Sequence, residues 1–208
     1  MSAAVPESPK LVDPPPGVLE VFTHRWSPYA YDPRPIDRAA FSTCLEAGRW
    51  AASSYNEQPW AFILAYREEA ARFETLLSCL LEANQAWARN ASVLMLGITS
   101  KFFSKNGSLN RVAPHDLGQF AANLATQATH VGLHVHQMAG VNLSRARQVY
   151  EIPDSHDPYT AIAVGYAARS SDKASEELFQ RDRATRQRKP IETFVFADKF
   201  GQSAMPRG

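Results

Sequence analysis

The chain is poor in cysteine. Its 208 residues include only Cys44 and Cys79, which form neither a C-x-x-C pair nor a cluster with ligand spacing. A disulfide framework and a cysteine-built metal site are thereby excluded, and inert packing is the reading for both thiols. No apolar run approaches the roughly 18–20 residues that a membrane-spanning helix requires. Neither sign of charge prevails, since 22 Lys and Arg face 21 Asp and Glu for a net charge of +1. A dedicated nucleic-acid binder would show a concentrated basic surplus. The opening stretch MSAAVPESPKLVDPPPGV has no basic and apolar regions of a signal peptide and is broken by five prolines. There is no G-x-G-x-x-G behind a strand, no G-x-x-x-x-G-K-[ST] and no G-x-S-x-G, and no carboxylate pair stands out for acid–base work.

What is present is ordinary globular material, 45% hydrophobic and 21% charged. A chain of this length can bury roughly 70% of its unfolded surface without a staple. The expectation is a soluble, cytoplasmic protein with a flexible Pro-rich arm over residues 1–17 and one domain over 18–208. Asp37 reads as the N-cap of a helix running to about Trp50, with Phe41 and Leu45 on one face. Trp60–Tyr66 and Ser92–Thr99 read as buried strands, and Tyr159–Tyr166 as a third. Phe73, Leu76, Leu77 and Leu80 give the stretch from Glu68 to Ala83 helical spacing, with Asn84-Gln85 at its end. Lys101–Ala113 carries Phe102-Phe103 and the turn pair Asn106-Gly107, and reads as a loop or lid.

The longest periodic element runs from about Asp116 to Ala139. Leu117, Ala121, Leu124, Ala128, Val131, Val135 and Met138 alternate spacings of four and three, which predicts one apolar stripe along a single helix. Such a helix serves as the core spine or as a dimer interface, and Gly140 is placed to end it in a left-handed conformation. Ser144–Tyr150 predicts a short helix, Asp172–Arg188 a charged helical or irregular stretch, and Ile191–Phe196 a final apolar strand without a local partner. His130 and His134 fall four apart on the predicted long helix. Without an H-E-x-x-H or an acidic third ligand, they and His136 read as solvated or hydrogen-bonded histidines rather than a metal site.

The remaining polar residues suit ligand binding rather than nucleophilic catalysis. Arg25-Trp26-Ser27 offers a guanidinium and a hydroxyl, equipment for a phosphate. Ser53-Ser54-Tyr55-Asn56-Glu57-Gln58-Pro59-Trp60 sets hydroxyl and amide groups just ahead of a buried strand. Amides donate and accept together, which matches a heterocycle edge. Arg186-Gln187-Arg188-Lys189-Pro190 adds cations near the C-terminus. In this order, together with Asn84, Met138-Ala139-Gly140 and Gly165-Tyr166, these segments give a chain that resembles the nitroreductase family of flavin-dependent oxidoreductases over roughly residues 22–200. Ser-Ser-x-Asn-x-Gln-Pro-Trp is the specific part of the match.

The resemblance implies an α+β fold, a mixed β-sheet flanked by helices, in an intertwined homodimer whose C-terminal segments are exchanged. It implies FMN at the dimer interface. Arg25, Ser27, Arg186 and Arg188 would take its phosphate, with Trp26 within the same motif. Ser53, Ser54 and Asn56 would line it from the other subunit, with Gln58 supporting that loop. Asn84 would hydrogen-bond the pyrimidine edge, and the backbone of Gln137, Met138, Ala139 and Gly140 would pass the reactive face. Hydride would come from NADH or NADPH to flavin N5 and pass by a ping-pong scheme to a nitro-aromatic, quinone or related acceptor, so the flavin and not a side chain carries the chemistry. Tyr29, Tyr55, Trp87, Phe102 and Phe103 are candidates for lining the acceptor pocket. Tyr29 and Trp87 stand where relatives often carry lysines near the flavin N1–O2 edge, and their neutrality would leave reduced flavin less stabilised. The same resemblance also covers dehalogenation, ring dehydrogenation and flavin breakdown, and a non-catalytic flavin-binding protein is the alternative from another class.

Overall fold

The computed structural model describes residues 10–171 and 174–204. Most of the N-terminal arm, residues 1–9, lies outside the described residues, as do positions 172–173 of the charged stretch. The chain folds through α1 (Glu20–His24), β1 (Tyr31–Asp32), α2 (Arg38–Arg49), β2 (Trp60–Tyr66), α3 (Ala70–Leu77), α4 (Glu82–Ala88) and β3 (Val93–Ser100). It continues through α5 (Ala113–His130), β4 (His134–Met138), α6 (Leu143–Val149), β5 (His156–Ala167) and α7 (Glu176–Asp182). Local chemistry accounts for the best-defined ends. The Asp37 carboxylate caps α2 by accepting from the amides of Ala39 and Ala40. Asn142 and Ser175 do the same for α6 and α7.

The sheet is built around β5. Strand β3 lies on one edge of β5 and β2 lies beyond β3, while β4 pairs with β5 opposite β3 and β1 pairs with its last residues. Where a mixed sheet was expected, every strand pair among the described residues is antiparallel. Alternation along the strands splits the interior into two cores. Leu94, Leu96, Ile98, Ala161 and Ala163 face α3 and α4 with Phe73, Leu77 and Trp87. Val93, Met95, Ile162 and Val164 face α2 and α5 with Phe41, Leu124 and Ala128.

Four sequence expectations are corrected. The single helix over 116–139 is α5 followed by β4, because Gly132 adopts φ 77 and reverses the chain. Gly132 N–H donates to Thr129 O and Leu133 N–H to Ala128 O, the paired bonds of a Schellman stop. Val135 and Met138 hold buried positions in β4, so they continued the helical spacing by coincidence. Gly140 has no left-handed conformation and ends no helix. The stretch 68–83 is likewise two helices. Cys79 lies in the turn between them, and Asn84 lies inside α4 rather than at a helix end. Finally, Ile191–Thr193 is a 3₁₀ turn, followed by a small loop closed by Ala197 N–H to Gln202 O and Ala204 N–H to Val195 O, in place of a strand.

Candidate functional site

The chain leaves α1 extended at Arg25 and is pinned by Trp26, which is buried edge-on against His134 with ring centroids 5.1 Å apart. Arg25 Nη1 donates to Ser27 Oγ at 3.3 Å. The C-terminal cations join this segment from 161 positions away, where Arg186 Nη1 donates to Arg25 O at 2.7 Å. Arg186 Nη2 donates to the carbonyls of Thr23 and Lys10. Burial and then the Arg188 charge hold the Arg25 guanidinium below its usual pKa, and burial, Arg188 and Arg25 do so for Arg186. Among the described residues no carboxylate forms an ion pair with Arg25, Arg186 or Arg188. Arg186 Nε–H is buried without a partner. Cations gathered without a counter-ion suit a dianion, and Arg186 commits its terminal nitrogens to backbone carbonyls, leaving Arg25 and Arg188 as the more available pair.

Next to this cradle lies an aromatic stack. The Tyr29 ring sits edge-on to His136 at 4.7 Å and to Trp87 at 5.4 Å, under the Arg181 guanidinium at 3.6 Å. His136 stacks on Trp87 at 4.3 Å, and its Nδ1 lies 2.8 Å from Pro28 O. A carbonyl can only accept, so Nδ1 carries the hydrogen, while burial keeps the imidazole pKa below its usual value. Trp87 Nε1–H donates to Asn84 Oδ1 at 3.3 Å, and Asn84 Nδ2–H donates to Gly140 O at 3.2 Å. A Cβ on Gly140 would come 2.1 Å from Asn84 Nδ2, so any side chain there would push the Asn84 amide out of its present position. Gln137 and Ala139 are exposed and Met138 is buried in the first core.

The Ser53–Gln58 loop occupies another part of the chain. Tyr55, Asn56 and Gln58 have φ of 54, 55 and 52, so three residues that carry side chains hold strained left-handed backbone within one short loop. Asp116 on α5 holds the loop by accepting Ser54 N–H at 3.1 Å, and Gln58 N–H donates to Ser53 Oγ at 3.0 Å. Gln58 Nε2 donates to Asn56 O within the same loop. Ala52, Ser53, Ser54, Val112, His115, Asp116 and Gln119 enclose a cavity of about 320 Å³. Tyr55 meets Phe103 edge-on at 5.8 Å, and Phe102 bridges to Leu109 within the 101–113 loop.

These two groups are far apart in one chain. The loop feeds Trp60, whose partner Thr99 pairs with Asp157 near the start of β5. The cradle lies by His134, whose partner is Gly165 near the end of β5. Eight residues of strand separate them, about 26 Å.

The comparisons with known proteins settle the family. A family model described as Nitroreductase family matches residues 22–166. The chain belongs to the nitroreductase family. A structure described as an oxidoreductase containing FMN is 28% identical, covers 95% of this chain and 98% of its own, and superposes with a TM-score of 0.83. A Desulfovibrio desulfuricans protein solved in complex with FMN is 21% identical over 90% of this chain and 99% of its own, with a TM-score of 0.68. An uncharacterized 15.4 kDa protein in the ask 5′ region of Mycolicibacterium smegmatis is 29% identical over 127 residues, 61% of this chain and 84% of that one.

Within this nitroreductase fold the sequence reading brings Arg25, Trp26, Ser27 and Arg186 together, and separately Asn84, Trp87 and Gly140. It gives no site role to Asp182 or Asp116, and His134, expected to be solvated or hydrogen-bonded, instead keeps Nδ1 buried without a partner among the described residues. Only Asp116 had a local signal, an acidic residue in the first turn of a predicted helix beside a polar loop. His130 ends α5 while His134 opens β4, so they share no helix face. No group of three or more His, Cys, Asp or Glu capable of holding a metal occurs among the described residues, and no helix there is long and apolar enough to cross a membrane. Burial pushes the Cys44 thiol up to about 11, which keeps it protonated. A cavity of about 510 Å³ between α6 and β5 is lined by none of the predicted residues. Arg147 on its wall is engaged by Ile152 O, Pro153 O, His156 O and Asp157.

Proposed function

We propose that this chain is an FMN-dependent oxidoreductase that takes hydride from NADH or NADPH and reduces nitro-aromatic, quinone or related acceptors. The observation that carries the reading is the cluster of Arg25, Arg186 and Arg188, which among the described residues has no ion-paired carboxylate and leaves a buried Nε–H unpartnered. A bound phosphate dianion supplies the missing charge. Arg25, Ser27 and Arg188 hold the phosphate, and Arg186 binds the carbonyls of Lys10, Thr23 and Arg25 to fix the cradle's shape. When bound, the flavin supplies two-electron chemistry, alternating between a nicotinamide donor and an oxidised acceptor at the same place.

Asn84 presents the remaining N–H and lone pair of an amide already oriented by Trp87 and Gly140, which suits the donor–acceptor edge of a pyrimidine ring. Ser53, Ser54 and Asn56 come to this site from a second copy, since their own chain holds them about 26 Å along the sheet from the cradle. Tyr29 and the partner copy's loop then exclude water above the ring, while Trp87, expected to line the acceptor pocket, is buried in the first core at 2% exposure and acts on the site only through Asn84. The test is the visible spectrum of the purified protein followed by anaerobic addition of NADPH. A flavin spectrum that bleaches is the expected result. A colourless protein that takes up no added FMN overturns the proposal, and bound flavin that stays oxidised removes the nicotinamide half-reaction from it.

A further inference from the structure

Two segments from opposite ends of the sequence must converge to make the cradle, and each brings positive charge. Residues 23–30 and 182–188 lie beside each other in antiparallel sense. Residue 182 meets residues 29 and 30 at one end, and residue 186 meets residues 23 and 25 at the other. The first of these contacts is made by Asp182, the last residue of α7. Its two carboxylate oxygens accept Tyr29 N–H at 3.0 Å each, and Oδ2 accepts Ala30 N–H at 2.8 Å. The side chain is buried, at 7% exposure. Arg181 beside it reaches over the Tyr29 ring and donates to Tyr29 Oη at 2.8 Å, so two consecutive residues of α7 grip one residue of the N-terminal segment.

We propose that Asp182 is a positioning residue for the phosphate cradle, fixing the alignment of the C-terminal segment so that Arg188 stands beside Arg25. Three features carry this. The bonded amides lie two and three residues after Ser27, with rigid Pro28 between, so a shift at Tyr29 is transmitted to the hydroxyl and guanidinium of the motif. The cations repel one another when brought together, so a contact outside the cluster must hold the alignment before any anion arrives. A carboxylate is the side chain that can accept these amides at two oxygens without offering a donor of its own. Burying it costs free energy, and burial does raise the Asp182 pKa against the pull of the two amides, Lys10 and Arg181.

This inference rests on reading the cluster as the phosphate cradle of a flavin nucleotide, and the test separates the two. FMN and riboflavin share the ring system and differ in the phosphate, so the ratio of their affinities reports the cradle alone. We would titrate the full-length wild type and Asp182→Asn with each ligand and follow flavin fluorescence. Removing a negative charge from the segment that carries the cradle cations would by electrostatics alone tighten FMN binding. Positioning gives the opposite sign, with FMN weakened by about tenfold or more and riboflavin moving by less than about twofold. Asp182→Glu keeps the charge and lengthens the side chain by one methylene, and it decides the matter if Asp182→Asn does not fold. It should lower the FMN-to-riboflavin ratio by about threefold at nearly unchanged thermal stability. Equal loss of both ligands, or tighter FMN binding, overturns the role of Asp182 while leaving the cradle standing. A wild type that prefers FMN no more than riboflavin overturns the cradle itself, and the positioning role with it.

Discussion

His134 is the most displaced imidazole of the chain. It opens β4, meets Trp26 edge-on, and keeps Nδ1 buried without a partner. Burial, and then the Arg169 charge, push its pKa down to about 4 from the ordinary 6.5. Above pH 6.5 both the folded and unfolded chains hold it neutral, and it contributes nothing to pH dependence. Between pH 6.5 and about 4 the unfolded chain binds a proton that the folded chain refuses, so stability falls as pH falls through that window. The linkage amounts to about 2 kcal/mol at pH 5. His136 next but one is also depressed by burial and adds in the same direction. Urea unfolding of the wild type is therefore expected to lose midpoint on going from pH 7 to pH 5, and His134→Phe to lose clearly less. The difference between pH values is the readout, so a general cost of the substitution does not obscure it. An identical pH dependence in the variant would show that His134 titrates normally.

At the scale of elements, the strained Ser53–Gln58 loop and the start of α5 form one unit. Asp116 ties them, being buried at 3% exposure and accepting both Ser54 N–H and the adjacent His115 Nδ1. Its charge near the helix N-terminus is favourable, and the loop's left-handed residues would relax without the tether. Asp116→Ala is expected to cost about 2 kcal/mol and to speed amide hydrogen exchange at residues 54–58 well beyond that of β2 and β3. Exchange confined to its wild-type rate in the loop would mean that Ser53 Oγ and the Glu57 contact to Ser104 suffice. Elements of this size were legible in the sequence where their determinants are local. Asp37 announced α2, and the continuous apolar run of β2 was bounded by Pro59 and Arg67 as expected. The stop of α5 was hidden because Val131, Val135 and Met138 kept the helical spacing across Gly132, whose φ of 77 is a backbone property that periodicity does not register. Asp182 was invisible for a different reason, since its partners lie 152 and 153 positions away and neither side carries a motif.

The whole molecule holds apart the two residue groups that the proposed function joins into one site. It also exposes large apolar side chains around them: Tyr55 at 92%, Trp50 at 75%, and Phe194 and Phe200 in the C-terminal segment at 57% and 95%. A two-fold pair in which the loop of each copy covers the cradle of the other resolves both features at once, because an isologous contact places two complete sites symmetrically. This arrangement predicts complementation between defective chains. Arg25→Ala disables the cradle and Asn56→Ala the loop, so homodimers of either variant should hold little FMN. Mixed by co-expression, half of the dimers are heterodimers, and each carries one doubly defective site and one intact site. One site in two, in one dimer in two, restores about a quarter of wild-type flavin per chain. Absorbance of the purified, differently tagged heterodimer gives the same quantity directly, at about half occupancy. If each site were built within a single chain, both copies in the heterodimer would remain defective and mixing would restore nothing. A flavin content no higher than that of the separate variants therefore rules out the shared site, and a rise to one intact site per heterodimer requires it.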